Sequence, residues 1–156
     1  MASHCRLIYK STCTDKLIDN AALNALVRQS AEHNRAAGIT GMLILSGDRF
    51  LQALEGPADA VNRLFGRIVR DTRHRDLQLL SFEQIGPTYF DAWDMHLVDL
   101  FDLPKGPRDL LARKYSSQEG AVTIPERLHE VYALLLDARH LCLSRPWERV
   151  ADGEDA

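Results

Sequence analysis

The 156-residue chain has only three cysteines, Cys5, Cys13 and Cys142, and they form no CxxC pair. An odd number of thiols cannot all be bridged within one chain, which argues against a disulfide framework and for reduced thiols in a cytoplasmic protein. Its six histidines are scattered without ligand spacing, so no metal site is expected. Long apolar runs are missing too, and none reaches the length that spans a bilayer. The opening residues, MASHCRLIYK, lack the apolar core of a secretory signal. Neither sign of charge dominates: 19 Lys and Arg face 22 Asp and Glu, a net charge of -3. That balance gives no basis for a nucleic-acid footprint. No internal repeat is found. What is present is ordinary for a globular chain, with 46% apolar and 26% charged residues. This length supports one domain with a real core and an appendage.

The stretch Ile39 to Pro57 organises the rest. It reads as two strands joined at Ser46-Gly47-Asp48, residues that close tight hairpins. The first, Ile39 to Leu45, is almost continuously apolar, as in a central strand. The second alternates, with Phe50, Gln52 and Leu54 on one side and Leu51, Ala53 and Glu55 on the other. Gln52 therefore stands between two large apolar residues on the face that meets the core. A buried amide needs partners, or costs roughly 1–3 kcal/mol.

Around that hairpin, Cys5 to Lys10 reads as a strand that places Cys5, Leu7 and Tyr9 on one face. Ser11 to Asp15 reads as a polar loop. A helix is predicted from about Ile18 to Arg35, with Asp19 or Asn20 as N-cap and Gly38 ending it. Its inward stripe is Leu23, Leu26, Val27, Ser30 and Asn34, which turns from aliphatic to polar along its length. Ser30 and Asn34 could equally serve the helix end. Pro57 suits the first position of a second helix, whose stripe is Val61, Leu64, Phe65, Ile68 and Val69. Asp71 to Asp76 reads as a charged turn. Leu77 to Ile85 reads as a fourth strand, and a fifth lies around Met95 to Val98, with Trp93, Met95 and Leu97 on one face. This order, β-α-β-β-α-β-β, fits an α+β ferredoxin-like fold: a five-stranded mixed sheet with two helices on one face. In that split βαβ topology the strand after the hairpin lies beside the first strand, so Tyr9 and Gln52 become neighbours facing the helices.

Beyond Leu100 a C-terminal helical appendage is expected. Pro104 to Pro107 reads as a linker, Asp109 to Lys114 as a short helix, and Thr123 to Glu126 as a capping box opening a helix to about Leu141. The expected divisions are 1–100 for the main domain, 101–150 for the helical cap and 151–156 for a disordered tail.

The two helices and the sheet would enclose a flat slot walled by Val27 and Ile68, with Asn34, Gln52 and Tyr9 supplying polar groups at one end. Such a slot suits a planar heteroaromatic with donors and acceptors on its edge. Arg73 and His74 follow the second helix. Because a helix C-terminus repels phosphate, cationic side chains would be needed for one there.

On these residues the chain resembles the BLUF family, blue-light sensors that use a flavin. The matching stretches are Tyr9 with Ser11, Ser30 to Asn34, Ile39-Thr40-Gly41, Phe50 to Gly56, Asp71 to His74, and Phe90 to Met95, spanning about residues 4 to 100. Lys10 and Thr88 depart from residues common in the family. The resemblance implies FAD as the cellular cofactor, with FMN or riboflavin as alternatives. It implies a site of Tyr9, Val27, Ser30, His33, Asn34, Gln52, Ile68, Asp71, Arg73 and His74. In it, Asn34 bonds the ring, His33 packs near it, and Arg73 and His74 face the ribityl phosphate. It further implies a photochemical rather than enzymatic role: Tyr9 gives an electron and a proton, Gln52 changes its hydrogen bonds, and Trp93 or Met95 reports the change to the C-terminal helices. The remaining residues of this chain are too few for a cyclase, phosphodiesterase or DNA-binding domain. A separate protein effector is therefore expected, together with homo-oligomerisation as one use of the C-terminal helix stripe. Two rivals stand beside this reading. One is a light-independent regulatory module that binds a small molecule. The other is an acylphosphatase-like hydrolase, which would need an arginine and a phosphate cradle in the first strand-to-helix loop.

Overall fold

The computed structural model describes residues 3–14, 20–90, 96–100, 103–115 and 122–143. The chain divides into two compact units, Met1–Asp102 and Leu103–Ala156.

The first unit runs β1 (His4–Cys13), α1 (Asn20–Ala37), β2 (Thr40–Ser46), β3 (Arg49–Pro57), α2 (Ala58–Arg70), β4 (His74–Gln84) and β5 (His96–Asp99). Its sheet has five strands in the order β4-β1-β3-β2-β5. The β1–β3, β1–β4 and β2–β3 pairs are antiparallel, and β2–β5 is parallel. This is the mixed ferredoxin-like sheet that the element order implied. Each helical connection skips one strand, which brings β1 and β3 side by side at the centre. Tyr9 is registered directly opposite Gln52. The core joins Leu7, Tyr9, Leu43, Leu45, Phe50 and Leu54 of the sheet to Leu23 of α1 and Val61 of α2.

Hydrogen bonding moves several boundaries. Ser11 to Cys13 is strand rather than loop, because Ser11 and Thr12 pair with β3 while Thr12 and Cys13 pair with β4. Long-range ladders on both sides outweigh a polar composition. In the same way β4 begins at His74, so the charged turn shrinks to Asp71–Arg73. Pro57 is the N-cap of α2 rather than its first helical residue. The carbonyl of Ser3 accepts the Ala58 N–H at 2.9 Å, which satisfies one of the helix's orphan donors. Val69 is 54% exposed and lies off the inward stripe, which Val61, Leu64, Phe65 and Ile68 already complete. Helix α1 begins at Asn20, and Asp19 lies outside the described residues. At its other end Gly38 has φ +74, and the N–H groups of Gly38 and Ile39 return to the carbonyls of Arg35 and Asn34. That pair of bonds is the glycine-ended Schellman cap.

The second unit holds α3 (Lys105–Tyr115) and α4 (Leu128–Leu143). The expected linker is the first turn of α3. Pro107 is tolerated there because the N–H groups of a first turn have no helical partner. Helix α4 starts at Leu128, later than the capping-box reading, since Pro125 disfavours a helical Ile124. Asp137 of α4 binds Lys114 Nζ at 2.7 Å and the Tyr115 hydroxyl at 2.5 Å. Among the described residues, no helix is long and apolar enough to cross a membrane.

Candidate functional site

A cavity of ≈ 320 Å³ opens between the helix-side face of the sheet and the two helices. That is within the usual range for a cofactor or small-molecule site, roughly 300–1,000 Å³. Its floor is Tyr9 of β1, Leu43 of β2, and Phe50 and Gln52 of β3. The α1 wall presents Leu26, Val27, Gln29, Ser30, His33 and Asn34, a set made possible by helical spacing. Opposite, α2 presents Leu64, Arg67 and Ile68, and the rim is closed by Asp71, Arg73 and His74. The ten residues expected to hold a ligand therefore line one cavity. Trp93 and Met95, the expected reporters, lie outside the described residues.

At the floor, the Tyr9 hydroxyl donates to Gln52 Oε1. Both side chains are buried, at 4% and 7% exposure. This bond answers the question raised by a polar amide on an apolar strand face. The Tyr9 ring is boxed by Phe65, at 5.8 Å between centroids, and meets His74 edge-on at 6.1 Å. Burial, and after it the negative charge of Asp71, push the Tyr9 phenol well above its ordinary pKa. Tyr9 is thus a neutral donor across the physiological range. Asn34, 3% exposed, is the other buried amide of the cavity.

The rim is more committed than its composition suggested. Arg73 Nε lies 2.9 Å from Asp71 Oδ1 and its Nη2 lies 2.5 Å from Oδ2. The Arg73 side-chain hydrogen bond holds the Asp71 carboxyl below the usual carboxylate range, against the opposing effect of its partial burial. His74 Nε2 donates to the Ile68 carbonyl at 2.6 Å, and Nδ1 meets Ser11 Oγ at 2.9 Å. His74 accordingly ties the end of α2 to β1. Sequence reasoning missed two polar lining residues, Gln29 and Arg67. Arg67 reaches across the mouth from α2, with its Nη1 2.6 Å from His33 Nε2 of α1. Its place three residues after Leu64, on the flank of the apolar stripe, was the available signal.

Apolar walls, two buried amides, a neutral phenol and a cationic rim fit a flat heteroaromatic with polar edges and an anionic tail. The hydrolase reading required an arginine in the first strand-to-helix connection, and the sequence between β1 and α1 holds none.

Comparisons with known proteins agree with this chemistry. The family model described as "BLUF: Sensors of blue-light using FAD" matches residues 5–96. The blue light- and temperature-regulated antirepressor BluF of Escherichia coli is 30% identical over 96 residues, 60% of this chain and 23% of that protein. Photoactivated adenylate cyclase subunit beta of Euglena gracilis is 44% identical over 55 residues, 35% of this chain. The match spans only 6% of that cyclase's length. Among solved structures, the dark state of BlrB, a BLUF protein, superposes with a TM-score of 0.63 at 32% identity, covering 73% of this chain and 82% of that one. The BlsA ground state superposes with a TM-score of 0.72 at 24% identity, a likeness of fold.

Proposed function

The chain belongs to the BLUF family of blue-light sensors using FAD, and from that membership we propose how its own residues act. Blue light absorbed by the flavin supplies the excitation, and Tyr9 and Gln52 are the residues that convert it into a changed hydrogen-bond pattern. What carries this reading is the bond from the Tyr9 hydroxyl to Gln52 Oε1 at the floor of an apolar slot. A neutral phenol and a neutral amide can exchange donors and acceptors without moving net charge. Two arrangements of the pair can therefore lie close in energy, and illumination shifts the population between them. Tyr9, held in its protonated form by burial, has both an electron and a proton to give.

Val27 and Ile68 would hold the flavin ring and Asn34 would bond it. Ser30 and His33 would add the α1 wall, while Asp71, Arg73 and His74 would take its ribityl phosphate. Because Asp71 offsets the charge of Arg73, Arg67 joins them as a cation facing that end. Trp93 and Met95 report the rearrangement toward the C-terminal unit, and a separate protein effector reads it. This chain performs no turnover of its own.

The deciding experiment is an absorption spectrum of flavin-loaded protein before and after blue light. The wild type is expected to show a small red shift that relaxes in darkness. Tyr9→Phe and Gln52→Leu are each expected to abolish it. A full reversible shift in either variant would refute the assignment, and wild-type protein that binds flavin without any shift would favour the light-independent module.

A further inference from the structure

Three residues along from Tyr9 and Gln52, the same two strands carry a second cross-strand pair, Arg6 opposite Glu55. Since side chains alternate, this pair lies on the sheet face turned away from the cavity. Both members are buried, Arg6 at 4% exposure and Glu55 at 0%. Glu55 Oε2 accepts from Arg6 Nε at 3.0 Å and from Nη2 at 2.8 Å. The same carboxylate accepts the backbone N–H of Tyr89 at 2.9 Å and that of Phe90 at 2.6 Å. Arg6 also donates to the Pro87 carbonyl at 3.3 Å, and its guanidinium lies 3.9 Å from the Tyr89 ring centroid. One buried ion pair thus grips residues 87–90, the start of the connection from β4 to β5, by backbone and by ring.

The photochemistry has no use for this charge. Stability does not explain it well either, because a buried ion pair can usually be replaced by apolar residues at little cost. Its placement suggests transmission. Gln52 and Glu55 are separated by about 10 Å of extended β3 backbone. β1 and β3 share an unbroken ladder from His4 opposite Pro57 to Thr12 opposite Arg49, and close-packed interiors transmit strain.

We propose that Arg6 and Glu55 are positioning residues that carry a light-driven change at the Tyr9–Gln52 pair through the sheet to residues 87–90. The proposal rests on the reading of Tyr9 and Gln52 as the light-sensitive pair, which is the two-state element that such coupling needs.

The test is a light-minus-dark infrared difference spectrum of the full flavin-loaded chain, with glutamate ¹³C-labelled. A carboxylate difference band that moves with the label and vanishes in Glu55→Gln is expected, while the visible red shift persists in that variant. A static structural pair would give no such band. Hydrogen exchange of the unmodified protein provides a second readout that needs no variant. The Tyr89 and Phe90 amides are expected to exchange at rates differing by about threefold or more between light and dark. A normal red shift with neither the Glu55 band nor the exchange difference overturns this proposal alone. Loss of the red shift in the wild type overturns the parent reading as well.

Discussion

At the level of single residues, the molecule relies on polar side chains placed where apolar ones would pack more simply. Tyr9 is the clearest case. Its raised pKa means that the folded state favours the neutral phenol, so stability linked to Tyr9 is complete below the ordinary tyrosine range and declines as pH rises through it. The light-induced shift is therefore expected to persist in alkali beyond about pH 10, where a free phenol ionises. An absorption titration with illumination at each pH checks it, and loss of the response near pH 10 would contradict the burial argument. Asp71 carries the opposite sign. Its carboxyl is depressed chiefly by the Arg73 hydrogen bond, so its contribution is present above the usual carboxylate range and is lost as pH falls through the lowered value. Acid unfolding below about pH 4 is expected to be less steep in Asp71→Asn than in the wild type. Glu55 carries the largest single-residue consequence. Glu55→Ala removes the buried carboxylate that pairs with Arg6 and accepts two backbone N–H groups, and should cost about 3–5 kcal/mol by denaturant unfolding.

At the level of elements, the sequence disclosed what depends on periodicity and hid what depends on pairing. Alternation along β3 and helical spacing along α1 were enough to bring Tyr9, Gln52, Ser30 and Asn34 to one cavity. The topology implied that Tyr9 and Gln52 are neighbours, and strand pairing sets them directly opposite each other. Ser11 to Cys13 and His74-Arg75 were illegible as strand, because partners far away in sequence hold them there. Arg67 escaped notice because an arginine beside an apolar stripe is most often just a solvated flank. The engagement of Arg73 with Asp71, and of His74 with the Ile68 carbonyl, depends on a corner that composition cannot draw. A close backbone approach also decides one element. A Cβ on Gly41 would come within 2.2 Å of the Ala53 carbonyl oxygen across the β2–β3 hairpin. Gly41→Ala is therefore expected to lower stability by roughly 1–3 kcal/mol or more, read as a drop in the urea midpoint.

At the level of the whole molecule, the cavity is built from residues 9 to 74, all within the first compact unit. A chain ending at Asp102 is expected to bind flavin and keep the reversible red shift, as an absorption spectrum of the truncated protein would show. Failure to bind would mean that the second unit is needed to form the site.

The edge strand β4, at one end of the sheet, has one further consequence. It leaves Leu79 and Phe82 exposed at 49% and 43%, a combination that invites fibre-like stacking of copies. Yet its register slips twice against β1, and Asp76 turns into the left-handed region at φ 53. Those irregularities corrugate the free margin, so that an incoming strand finds no straight row of amides and carbonyls to zip onto.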